Sequence, residues 1–215
     1  MTEPDVTLTD FALAAECAVF CALALRWAAS NQRLRYWWVV LFASIGLGSL
    51  LGGIVHGFVE PGPTSETLWR ATLLSLGLTT LATWTIGAQL ALREPAATWV
   101  RGAAIAQVIV YTIVVLFVSS TFIVAIATYV PATLFLLVAL VLTYRRAPHR
   151  ALAYGIGGLV LTFVAAAVQQ LRIAIHPVYF NHNALYHVIQ GVALFLIFLG
   201  ARRVATLPAT TRGTT

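Results

Sequence analysis

Polar residues come in short groups along this chain, and the apolar runs between them are each about a bilayer wide. The first run follows the capping side chains of Thr7-Leu8-Thr9-Asp10 and predicts a helix to about Trp27. A second begins at the aromatic belt Tyr36, Trp37 and Trp38 and runs to about Val59, where Glu60-Pro61-Gly62-Pro63 predicts a turn. A third spans residues 66–92. Residues 102–144 carry no charge. As one helix they would be ~65 Å long, about twice the hydrocarbon thickness. They predict two spans that reverse at Val118-Ser119-Ser120-Thr121, with Pro131 kinking the second. A sixth helix is expected over 151–173 and a seventh over 180–203. Residues 204–215, rich in Thr and Ala, read as a disordered cytoplasmic tail. The fold class is all-α: residues 1–203 form a single seven-helix transmembrane domain.

Composition agrees. The chain is 60% hydrophobic and 9% charged, against about 25% charged for soluble domains. All thirteen basic residues are arginine, and the absence of lysine excludes a retinal Schiff base. All but Arg70 and Arg172 fall at the first, third and fifth loops and the C-terminal tail. Positive charge at alternate helix ends is a membrane signature and does not call for nucleic acid. The bias predicts an outside N-terminus, a cytoplasmic C-terminus and a multi-pass protein of the inner (plasma) membrane. The acidic lead has no basic n-region, so no cleaved leader is expected. Cys17 and Cys21, one turn apart in an apolar helix, read as structural thiols.

The last helix changes the picture. Asn183, His187 and Gln190 fall at i, i+4 and i+7, so one face of an apolar helix is polar and must point into protein. The predicted topology brings other polar residues to the same depth. At 1.5 Å per residue, His56 lies ~5 Å, Gln169 ~6 Å, His187 ~8 Å and Glu16 ~10 Å below the outer boundary. Ser49, Arg172 and His182 are nearby. Such a layer suits a metal or cofactor site, another ligand site or a polar network that fixes helix packing. Gly46, Ser49, Gly53 and His56 form one stripe on the second helix, where the glycines predict close helix packing.

Seven helices, an outside N-terminus, a glycine-serine helix ending in His (GLGSLLGGIVH) and a last helix opening Asn-x-x-Tyr-His resemble the CREST superfamily, which includes alkaline ceramidases and the adiponectin-receptor family. The resemblance covers the topology of most of the chain, and its motifs rest on two short stretches. It implies a zinc site made by one early His and two His spaced HxxxH on the last helix, and hydrolysis of lipid amides. His56 matches the early His, His187 the final one, and Tyr186 the aromatic position before it. Asn183 stands where the first His of HxxxH would be. Gly52 stands where a Ser would be, with Ser49 the nearest hydroxyl.

A catalytic zinc needs three protein ligands and an open position. The expected ligands are His56 and His187 with either His182 or Glu16. Glu16 is then the expected proton acceptor, with Ser49 assisting and Arg172 holding an anionic intermediate or headgroup. Asn183, Gln190, Gln169 and Tyr186 would support the ligands. Membrane lipids are the expected partners and a lipid amide the expected substrate. Two other classes fit the same residues. His56 and His187 from two helices suit the axial positions of a b-type haem. A non-catalytic subunit or receptor-like bundle would need the polar layer only to lock its helices.

Overall fold

The computed structural model describes residues 2–206. Seven helices long and apolar enough to cross a membrane account for most of them. They are α1 (Pro4–Leu25), α2 (Gln32–Phe58), α3 (Pro63–Ala91), α4 (Ala96–Phe117), α5 (Phe122–Arg146), α6 (Arg150–Gln170) and α7 (His182–Thr206). The described fold is all-α, and its seven apolar helices are compatible with a multi-pass membrane protein.

Local chemistry sets the helix boundaries. Pro63 opens α3 at a position whose N–H would be unpaired in any case. The Ser65 hydroxyl there donates to the Gly62 carbonyl and accepts from the Gly62 N–H, at 2.9 and 3.0 Å. The Asn31 side chain caps α2 by accepting the Leu34 N–H at 3.0 Å, so Arg33 and Arg35 lie inside the helix and not in a loop. The reversal between α4 and α5 falls at 118–121, as expected, and α5 runs unbroken through Pro131. In the loop before α4, the Glu94 carboxylate accepts bonds from Thr98 and Arg101, which hold it below the usual glutamate range.

Helices α2 and α4 start earlier than expected and α6 ends earlier, and two further boundaries change how a segment is read. Helix α1 starts at Pro4, so Thr7, Thr9 and Asp10 lie within it and do not cap it. The two threonine hydroxyls turn back onto the preceding turn: Thr7 donates to the Glu3 carbonyl at 2.7 Å. At the other end α7 continues to Thr206, because Val204 and Ala205 are buried against the core and helical packing outweighs a tail-like composition. The rest of the expected tail, 207–215, lies outside the described residues.

The helices α1, α2, α3, α5, α6 and α7 pack in that order, and α7 closes back on α1. The result is a ring. Among the described residues α4 packs only on α3 and α5, outside the ring, and exposes Ile105, Ile109, Val110 and Ile113. At the arginine-rich end of the ring aromatic side chains pack in the interior. Phe20 stacks on Phe198 at 4.4 Å between centroids, with Phe42 and Trp27 at 5.3 and 5.2 Å from one or other of them. Glycine brings neighbouring helices close, as expected for α2: a Cβ at Gly46 would meet Cys17 at 2.8 Å, and one at Gly53 would meet Phe11 at 2.8 Å. Cys17 and Cys21 are free. The tightest crossing is between α6 and α7, where a Cβ at Gly200 would lie 2.8 Å from the Gly155 Cα.

Candidate functional site

At the opposite end the ring is hollow. A cavity of about 400 Å³ opens there, walled by α1, α2, α3, α6 and α7, with Phe122 from the start of α5. Its polar wall is built mainly by α7. The Asn181 side chain caps that helix by accepting the Asn183 and Ala184 N–H groups at 2.9 and 3.2 Å. The Asp5 carboxylate of α1 accepts the Asn181 N–H at 2.9 Å and ties the two helix starts together. The face bearing Asn183, His187 and Gln190 is then turned into the cavity.

The centre of the site is a carboxylate and an imidazole. Asp10 Oδ1 lies 3.4 Å from His187 Nε2, and their side chains are only 6% and 12% exposed. On the other side of the ring, His187 Nδ1 is 3.1 Å from the Thr9 hydroxyl. Gly52 leaves room for the acid, since a Cβ there would sit 3.2 Å from Asp10 Oδ2. Tyr186 packs its ring 5.1 Å from that of His187.

Amide side chains fill the wall beside this pair. Gln169 Nε2 donates to Asn183 Oδ1 at 3.4 Å, joining α6 to α7. Gln190 is buried, and its Nε2 donates to the Thr162 hydroxyl at 3.3 Å. Thr162 gives its own proton to the Gly158 carbonyl, so it can only accept from Gln190, and this fixes the amide orientation. Gln190 Oε1 is then left without a partner among the described residues. A buried amide oxygen with no donor is costly; the atom itself is closed off, although its residue lines the cavity.

The cavity wall also includes Ser49, His56, Arg172 and His182. His56 is directed to α1, with Nδ1 3.0 Å from Glu3 Oε2. Arg172 is exposed at the mouth, just beyond α6, with a left-handed backbone (φ 54°). Sixteen is the position that fails. Glu16 is not on the cavity wall; it lies half-buried between α1 and α7, with Oε2 3.2 Å from where a Gly191 Cβ would be. Six residues after Asp10 it is turned ~240° around the helix. The acid that does face His187 is Asp10, which a reading of 7–10 as a capping lead hides. Its signal was present: Thr7, Asp10, Leu13, Cys17, Phe20 and Ala24 form the buried stripe of α1.

The expected metal set does not form with these side chains as they stand. Among the described residues no group of three or more His, Cys, Asp or Glu is close enough to hold an ion. Both ring nitrogens of His187 face protein partners, Thr9 and Asp10. His149 lies elsewhere and caps α6, its Nδ1 accepting the Ala151 N–H at 3.1 Å.

The chain matches a family model over residues 6–206. It belongs to the family of unknown function DUF6962. The match takes in Asp10, His187 and the rest of the cavity, so the site lies within the region that defines the family. No curated protein and no solved structure matches the chain. Family membership therefore brings no chemistry with it.

Proposed function

We propose that this protein binds a lipid headgroup in the cavity and hydrolyses a lipid amide or ester there without a metal. The single observation that carries this reading is the buried Asp10–His187 pair on the wall of the bundle's cavity, beside an unpartnered Gln190 oxygen. Intramembrane ionisable groups are costly and are retained for function. The Gln190 oxygen lacks a donor behind the cavity wall, and a small rotation of its side chain would offer it to an amide nitrogen or headgroup hydroxyl. Arg172 at the mouth suits an anionic group. Water gives a proton to the pair, at His187 Nε2 or Asp10 Oδ1, as its oxygen bonds to the carbonyl carbon. The pair returns a proton to the leaving nitrogen or oxygen as its bond to that carbon breaks. The proton inventory is unchanged, and the products are a carboxylic acid and an amine or alcohol.

The test uses purified protein in nanodiscs, a panel of long-chain N-acyl amides and acyl esters, and mass spectrometry of released fatty acid, in parallel samples with chelator and with added zinc. Release that survives chelation is expected. Release that appears only with added zinc would overturn the metal-free mechanism. Lipid retained without turnover would leave a binding protein, and no retention and no release would remove the reading altogether.

The proposed orientation places this cavity at the outer face of the plasma membrane. Arg145, Arg146, Arg150, Arg202 and Arg203 all lie at the other end of the bundle, which supports a cytoplasmic C-terminus. A reporter fused after Thr206 should behave as cytoplasmic, and activity only outside would reverse the orientation.

A further inference from the structure

We infer that Thr9 is a positioning residue that fixes the tautomer of His187, holding a proton on Nδ1 and leaving Nε2 to exchange protons with Asp10 and the cavity. The inference deepens the acid–base reading above and rests on a count of protons. The Thr9 hydroxyl has three neighbours: the Asp5 carbonyl at 2.9 Å, the Val6 carbonyl at 3.0 Å and His187 Nδ1 at 3.1 Å. It owns one proton, and carbonyls can only accept. The two carbonyls are the nearer partners, and back-bonding of this kind is the ordinary state of a helical threonine. The hydroxyl proton therefore goes to the backbone. The Thr9 oxygen then faces Nδ1 with lone pairs, and a contact at 3.1 Å is attractive only if Nδ1 carries the proton.

The consequence falls on the far side of the ring. With Nδ1–H set, Nε2 lies opposite Asp10 Oδ1 at 3.4 Å. A bare nitrogen lone pair and a carboxylate oxygen repel, so one proton is shared between these two atoms. All proton exchange is confined to Nε2 and Oδ1, the pair whose residues line the cavity. Which ring nitrogen is protonated is set by the bond the other one makes; here the setting residue is on α1, in the same helical turn as the acid.

The experiment reads the ring nitrogens directly and needs no ligand, so its failure is separable from a failure of the hydrolase reading. Full-length protein labelled with 15N-histidine in lipid bilayers is examined by solid-state NMR, and the His187 signals are identified by their loss in His187→Gln. In the unmutated protein Nδ1 should carry a directly bonded proton. Thr9→Ser should keep it there, and Thr9→Val should move it to Nε2. The His149 signals, distant from the site, report that the variants are folded. A bare Nδ1 in the unmutated protein would overturn the inference even if Thr9→Val fails to fold. So would a folded Thr9→Val with an unchanged His187 spectrum.

Discussion

Gly158→Ala should lower the thermal midpoint of the purified protein by about 6–12 °C, whereas Gly157→Ala should leave it nearly unchanged. A Cβ on Gly158 would lie 2.6 Å from the Ala193 carbonyl oxygen and 2.9 Å from the Ile197 nitrogen, both backbone atoms of α7. Side chains can rotate away from an added methyl, but a helix backbone has to move as a whole. Overpacking of this kind costs about 3 kcal/mol at its upper range, and each kcal/mol shifts the midpoint by roughly 2–4 °C in a chain of this length. A Cβ on Gly157 meets nothing within 4 Å. The pair of adjacent glycines controls for helix propensity, which favours alanine at both positions. Equal midpoints for the two variants would show that α6 and α7 do not cross as closely as described.

The second large effect is on turnover of whichever long-chain amide or ester the nanodisc panel identifies. Asp10→Asn and His187→Gln should each reduce the rate by ~10²–10⁴-fold, the range for loss of a positioned acid–base group. That corresponds to about 2.7–5.5 kcal/mol of barrier. The double variant should be little worse than either single one, because the two groups handle one proton between them and removing either disables both. Glu16→Gln should retain activity, since that side chain lies off the cavity wall. Additive losses would mean that Asp10 and His187 act separately. A dead Glu16→Gln with an active Asp10→Asn would assign the chemistry to the wrong acid.

These two acids also show what could be read without coordinates. The apolar runs specify the helices because a bilayer leaves few other ways to satisfy a backbone. The α7 face was legible for a similar reason: Asn183, His187 and Gln190 share one side of a single helix, and no second element is needed to see it. Depth was legible too, since rise per residue is fixed. Azimuth was not. Glu16 lies at a suitable depth in α1 but is turned toward Gly191, and only the packing of α1 between α2 and α7 decides which way each of its faces looks. Asp10 was concealed by a different ambiguity. Thr-x-Thr-Asp serves equally as a cap or as part of the first and second turns of a helix, and Pro4, a residue suited to the first helical position, settles the matter six residues before Asp10. The Gln190 oxygen could not have been read at all, because its lack of a partner depends on the single proton of Thr162.

The closure of α7 onto α1 has a consequence for how the protein is made. Thr9 and His187 are 178 residues apart, and at 5–20 residues per second about 10–35 s of synthesis separate them. Throughout that interval α1 stands in the bilayer with the Asp10 acid and no imidazole to meet it. Chains that stop short of α7 carry that acid without the imidazole it meets in the finished fold.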